Sequence, residues 1–204
     1  MENRRKSKFL SIWSKLSDIL IVNLIFCLTC LPLFTIPIAI TALDSMFLKL
    51  ILDDESDLIK SYVVGFKNNF MQSLVIGVVI ASLDFILLSH LTLANAFSAG
   101  LKNYFQIMSS ILLVLLGLNS LYIFPYVARY QVTIKKAFII SFSLALKHLK
   151  YTMALVLMYI VVATAMTYIF ISGKYFIYLF LTCGFTIVAY FKNLIVSKVF
   201  AQYT

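Results

Sequence analysis

Four polar side chains, Asn23, Asp44, Asp84 and Asn119, stand inside otherwise apolar stretches of this 204-residue chain. A polar or ionisable group among apolar neighbours is costly, and it earns its place as a ligand or proton site or as a hydrogen-bonding link between helices. Asn23, Asp44 and Asn119 each fall about seven residues from one end of a stretch, so at a rise of about 1.5 Å per residue they are expected to share a layer. Either a small polar site or interhelical packing follows from that layer, and packing is the plainer reading. Asp84, in LVIGVVIASLDFILL, lies nearer the other boundary, with His90 beyond it. A protonatable carboxylate there suits proton-coupled transport; a neutral, hydrogen-bonded acid suits packing.

Other chemistry is sparse. Cys27 and Cys30 form a CxxC inside one apolar stretch and Cys183 stands alone in another, and small packing residues explain all three better than redox or metal chemistry. Asp53, Asp54, Glu55 and Asp57 suit the first turn of a helix and have no calcium-loop spacing. No GxSxG, HExxH or GxxxxGK[ST] occurs, and His90 and His148 are expected on opposite sides of a membrane. An enzyme is therefore not expected, and neither a metal nor another cofactor is. A channel is poorly supported too, since no filter sequence or array of gating charges is present. Trp13 fits an aromatic belt.

The elements that must hold these residues are six apolar stretches, at Ile12–Leu31, Phe34–Leu52, Phe70–Leu91, Tyr104–Val127, Tyr151–Ile171 and Tyr175–Val196. Each has roughly the 20 residues a helix needs to cross a bilayer. The expected fold is an all-α, polytopic membrane bundle using residues 1–204 as one domain, with an uncleaved first helix. A composition 62% hydrophobic and 12% charged leaves too little polar surface for a soluble globule. Pro32 and Pro37 turn the first stretch into the second as a hairpin. The second stretch contains Asp44 and Lys49, and either spans or is broken or re-entrant.

Charge sets the orientation. With the N-terminus inside, Arg4, Arg5, Lys6, Lys8 and Lys15 are cytoplasmic, with Lys49, Lys60, Lys67, Arg129, Lys135, Lys136, Lys147, Lys150, Lys192 and Lys198. Only Lys102 and Lys174 fall outside, so the positive-inside rule places both termini in the cytoplasm. A net charge of +9 distributed at the ends of apolar segments points to anionic lipid headgroups and away from nucleic acid.

Two cytoplasmic amphipathic surface helices complete the expected bundle. In the first, Leu58, Tyr62, Phe66 and Phe70 recur every fourth residue. In the second, Lys135, Lys136, Lys147 and Lys150 fall in one arc and Ile134, Phe138, Phe142, Ala145 and Leu149 in the opposite one. The basic arc rests on headgroups or docks a partner. GFKNNFMQSLVIG loosely parallels ALKHLKYTMALVL, which suggests a parallel repeat of 34–91 and 104–171.

Three stretches resemble the YesL family of bacterial membrane proteins. NLIFCLTCLPLFTIPIAITAL is similar to the family's first helix and LPIxTxGPAxxAL hairpin through Asn23, Leu31, Pro32, Thr35, Ala42 and Leu43, with Pro37 and Ile38 replacing the Gly-Pro. Phe66, Lys67, Asn69, Phe70 and Gln72 match F-K-x-N-F-x-Q. FPYVARYQVTIKKAFIISFSLALKHL resembles a PLLARF segment followed by a basic helix, through Pro125, Ala128, Arg129, Tyr130, Lys136, Ala137, His148 and Leu149.

The resemblance implies a bacterial plasma-membrane protein with a non-enzymatic accessory or regulatory role in carbohydrate ABC import, contacting permease or ATPase subunits. Lys67, Asn69, Arg129, Lys136 and His148 become candidates for partner contact, joined by Lys135, Lys147 and Lys150 of the basic arc. The competing expectation is a small secondary transporter, acting alone or as a homo-oligomer, built on the four embedded polar residues.

Overall fold

A computed structural model of the chain describes residues 17–53, 57–94, 99–130, 132–172 and 184–203. The expectations for Arg4, Arg5, Lys6, Lys8, Trp13, Lys15, Asp54, Glu55, Lys174 and Cys183 fall outside these residues. Among the described residues the secondary structure is entirely helical: α1 (Ser17–Thr29), a 3-10 turn (Leu33–Thr35), α2 (Ile36–Leu52), α3 (Leu58–Asn68), α4 (Phe70–Leu93), α5 (Ala99–Arg129), α6 (Ile134–Lys147), α7 (Leu149–Ser172) and α8 (Phe185–Phe200). Among the described residues four helical stretches are long and apolar enough to cross a membrane: Leu33–Leu52, Phe70–Leu93, Gly100–Arg129 and Leu149–Tyr168.

The turn from α1 into α2 follows its sequence. Pro32 is extended (φ −75°, ψ 118°), and Pro37 sits in the first turn of α2, where its missing N–H costs no helical bond. The Thr35 hydroxyl donates to the carbonyls of Thr29 (2.5 Å) and Pro32 (2.6 Å), tying the end of α1 to the start of α2. The segment that admitted a broken or re-entrant reading forms one uninterrupted helix from Ile36 to Leu52.

That helix is the hub of the molecule. Every residue from Thr41 to Leu48 is buried. Val22 and Phe26 of α1, Ala39, Ala42, Leu43, Met46 and Phe47 of α2, Leu58 and Tyr62 of α3 and Ala189 of α8 make one apolar cluster. Leu48 reaches a second cluster, with Tyr122 of α5, Leu144 and Ala145 of α6, Leu155 of α7 and Val196, Val199 and Phe200 of α8.

The amphipathic helix expected at a membrane surface, α3, packs closely on α2. Its buried face is Leu58, Ser61, Tyr62 and Gly65, continued by Asn69, instead of Leu58, Tyr62, Phe66 and Phe70. A Cβ on Gly65 would stand 3.0 Å from that of Ser45 and 3.3 Å from the Ala42 carbonyl; one on Gly77 would stand 2.1 Å from Pro37 Cγ. Residue 65 thus faces 42–45 and residue 77 faces 37, so α3 and the first half of α4 retrace α2 antiparallel. Small residues allow the backbones this approach. The Tyr62 hydroxyl hydrogen-bonds that of Thr29 (2.7 Å) and holds α3 to α1.

The second short helix, α6, folds back on α5 in the same manner. Ala137 packs with Ile123 and Val127 of α5 and Ile76 of α4, and Asn119 Nδ2 donates to the Phe138 carbonyl at 3.2 Å. Its buried residues are Ala137, Ser141, Leu144 and Ala145, while Leu149, expected on the apolar side, is exposed. Arg129, ending α5, makes a two-pronged ion pair with Asp53 at the end of α2.

Candidate functional site

The only positions of α8 with hydrogen-bonding or charged groups on its inward face are Thr186, Lys192, Asn193 and Ser197, and all four are buried. Thr186, Ala189, Asn193, Val196 and Phe200 recur at helical spacing, so this stripe is turned into the protein, toward α1 and α2. Lys192, next to the stripe, turns its amine into it.

There Lys192 meets Asp44. Its Nζ lies 2.6 Å from Asp44 Oδ2 and 2.5 Å from Oδ1, and Asn193 Nδ2 donates to Oδ1 at 2.8 Å and to the Ala189 carbonyl at 2.9 Å. The two side chains expose only 6% and 1% of their area, so water does little to screen the pair. Two charges withdrawn from water hold together only when their partners are well placed, and removing one leaves the other buried and uncompensated. Asn193 fixes the carboxylate, and its own Oδ1 has no partner among the described residues.

Beside the pair lies a cavity of about 750 Å³. Its walls come from α1 (Phe26, Cys27, Cys30), α2 (Ile36, Ile40, Leu43), α7 (Val162, Met166) and α8 (Phe185, Val188), with Leu31 of the turn. Asp44, Lys192 and Tyr159 supply its hydrogen-bonding groups. An apolar chamber with a few convergent polar groups is the usual form of a small-ligand site.

The residues expected in one layer separate into three places. Asp44 sits in the pair. Asn23, fully buried, accepts from the Thr186 backbone N–H (3.2 Å) and hydroxyl (3.4 Å), two turns away along α8. Asn119 bonds Phe138 on another flank. Each of these two amides thus joins neighbouring helices, Asn23 linking α1 to α8 and Asn119 linking α5 to α6. Asp84, expected nearer the other boundary, is half-buried on α4.

Among the candidate partner contacts, Asn69 is corrected most plainly. It is buried, and its Nδ2 donates to the Gly65 carbonyl (2.9 Å), sealing the end of α3. Arg129 is engaged by Asp53, and His148 Nε2 hydrogen-bonds the Tyr203 hydroxyl (2.8 Å). Lys67, Lys135, Lys136, Lys147 and Lys150 are exposed. Gln72, noted only in a motif, donates to the Val132 carbonyl (2.5 Å) and anchors the connection between α5 and α6.

Lys192 and Asn193 are not legible as site residues when the last apolar stretch ends at Val196, which makes Lys192 a cytoplasmic end charge; the helix runs on to Phe200. The available signal was a lysine inside an apolar run at a depth comparable to that of Asp44. Cys27 and Cys30 stand in the cavity wall, and no cluster of metal-ligating side chains occurs among the described residues.

Residues 19–91 match the model of a family described as a protein of unknown function, DUF624. The match covers α1 to most of α4, including Asp44 but not Lys192. No curated protein and no solved structure matches the chain.

Proposed function

We propose that this is a multi-pass bacterial plasma-membrane protein of the YesL family, with six spans and both termini cytoplasmic. It acts as a non-enzymatic accessory or regulatory component of carbohydrate ABC import. The observation that carries the reading is the outer face of α6 and the start of α7. Lys135, Lys136, Lys147 and Lys150 are all exposed there, interleaved with exposed Ile139 and Leu146. The apolar side of α6 is already used against α5, so this mixed face is left for something else. Cations around apolar anchors suit a protein partner with an apolar socket rimmed by carboxylates; a helix resting only on anionic headgroups would turn its apolar residues into the bilayer.

A photoreactive amino acid placed at Ile139 in native membranes tests this. The expected adduct joins the protein to a permease or ATPase subunit, and adducts to lipid alone would refute it.

The pair at Asp44 and Lys192 favours a second reading, a small secondary transporter, because embedded ionisable groups commonly mark solute or proton pathways. That reading requires solute flux in reconstituted vesicles, lost in a well-folded Asp44→Asn variant. The accessory reading requires no flux from the isolated protein.

A further inference from the structure

The cavity beside Asp44 and Lys192 is not used by the accessory role, and its chemistry is specific enough to name an occupant. We propose that it binds a single-chain amphiphile with an uncharged, hydroxyl-bearing head, drawn from the surrounding bilayer. The head meets Lys192 and Asp44, and the chain lies along Phe26, Ile40, Val162 and Met166.

The argument begins with the polar end. An ammonium carries three donors; Lys192 has the two oxygens of Asp44 as partners, which leaves capacity for a further acceptor. Asp44 Oδ1 receives both Lys192 and Asn193, whereas Oδ2 receives Lys192 alone. With the Tyr159 hydroxyl beside them, the site therefore offers both donors and acceptors with no net charge. A hydroxyl meets both at once. A carboxylate head would be repelled by Asp44 and could pair with Lys192 only by leaving Asp44 buried without its counter-charge; an amine head would face the converse difficulty with Lys192.

The remaining walls argue for a chain. Phe26, Ile36, Ile40, Val162, Met166 and Val188 present no side-chain hydrogen-bonding groups, so a sugar or another polyhydroxylated solute would lose its water without replacement. A volume of about 750 Å³ is within the ordinary range of small-ligand sites.

The test uses the full-length protein in nanodiscs and three photoreactive long-chain probes that differ only in the head: alcohol, carboxylic acid and primary amine. Adducts are mapped by peptide mass spectrometry. The alcohol is expected to label the peptides containing Cys27–Leu31 and Val162–Met166, about tenfold more than either charged probe, the ratio that one well-made hydrogen bond supports. Ile40→Trp, which fills the chamber, should abolish this labelling. The double variant Asp44→Leu/Lys192→Met should keep the labelling and lose the preference for the alcohol. Equal labelling of the wild-type cavity by all three heads, or adducts confined to the exposed sides of α4 and α7, would overturn the proposal, and neither result depends on a variant folding.

Discussion

Asp44 and Lys192 sustain each other, so the two residues should behave as a unit. Asp44→Leu or Lys192→Met alone removes one charge and strands the other, at a cost of about 3–5 kcal/mol, whereas replacing both with apolar residues of similar volume returns most of that stability. Thermal unfolding of the purified single and double variants checks this; additive losses would show that the pair is not coupled. Gly77 makes a second residue-scale prediction. A Cβ there would stand 2.1 Å from Pro37 Cγ, so Gly77→Ala forces α4 off α2 and should destabilise by about 1–3 kcal/mol. Asp44 was legible as a costly group, but its partner was not. Sequence position gives depth along a helix and not which helices meet, and Lys192 lies 148 residues away from Asp44.

At the scale of elements, α2 shows why apolar stretches are easy to see and their arrangement is not. It has the lowest mean hydropathy of the four long candidates, 1.7, and the largest buried share, 61%; α4, at 2.3, is 11% buried. A helix facing lipid is uniformly apolar, while a central one must carry the small and polar residues through which its neighbours pack, here Ala42, Asp44 and Ser45. Hydropathy thus located the helices without ranking their centrality, since α7, at 1.8, is only 11% buried. The back-packing of α3 was hidden for a related reason: two of the four residues of its inner face, Ser61 and Gly65, carry no large apolar side chain. Gly65→Leu should accordingly separate α3 from α2 and lower the unfolding temperature more than Val63→Leu, which falls on an exposed position of the same helix. The ion pair of Asp53 with Arg129 is half-open to solvent, and Asp53→Ala should cost no more than about 1 kcal/mol.

For the whole molecule, α4 and α7 leave most of their surfaces uncovered, with Phe85, Met153, Leu157 and Tyr168 among the most exposed apolar side chains. In the proposed arrangement these sides meet lipid, while the lysines of α6 face the cytoplasm. Cysteines introduced next to Lys60 or Lys135 should react with a membrane-impermeant reagent only after the cytoplasmic side is opened; labelling in sealed cells would invert the topology. The accessory role rests on a partner for the basic face. Affinity purification of the tagged protein from native membranes in mild detergent, beside a variant carrying Lys135→Glu, Lys136→Glu, Lys147→Glu and Lys150→Glu, is its most direct test. The account predicts importer permease or ATPase subunits with the native protein and their loss from the equally well-folded variant; their repeated absence from the native preparation would contradict it.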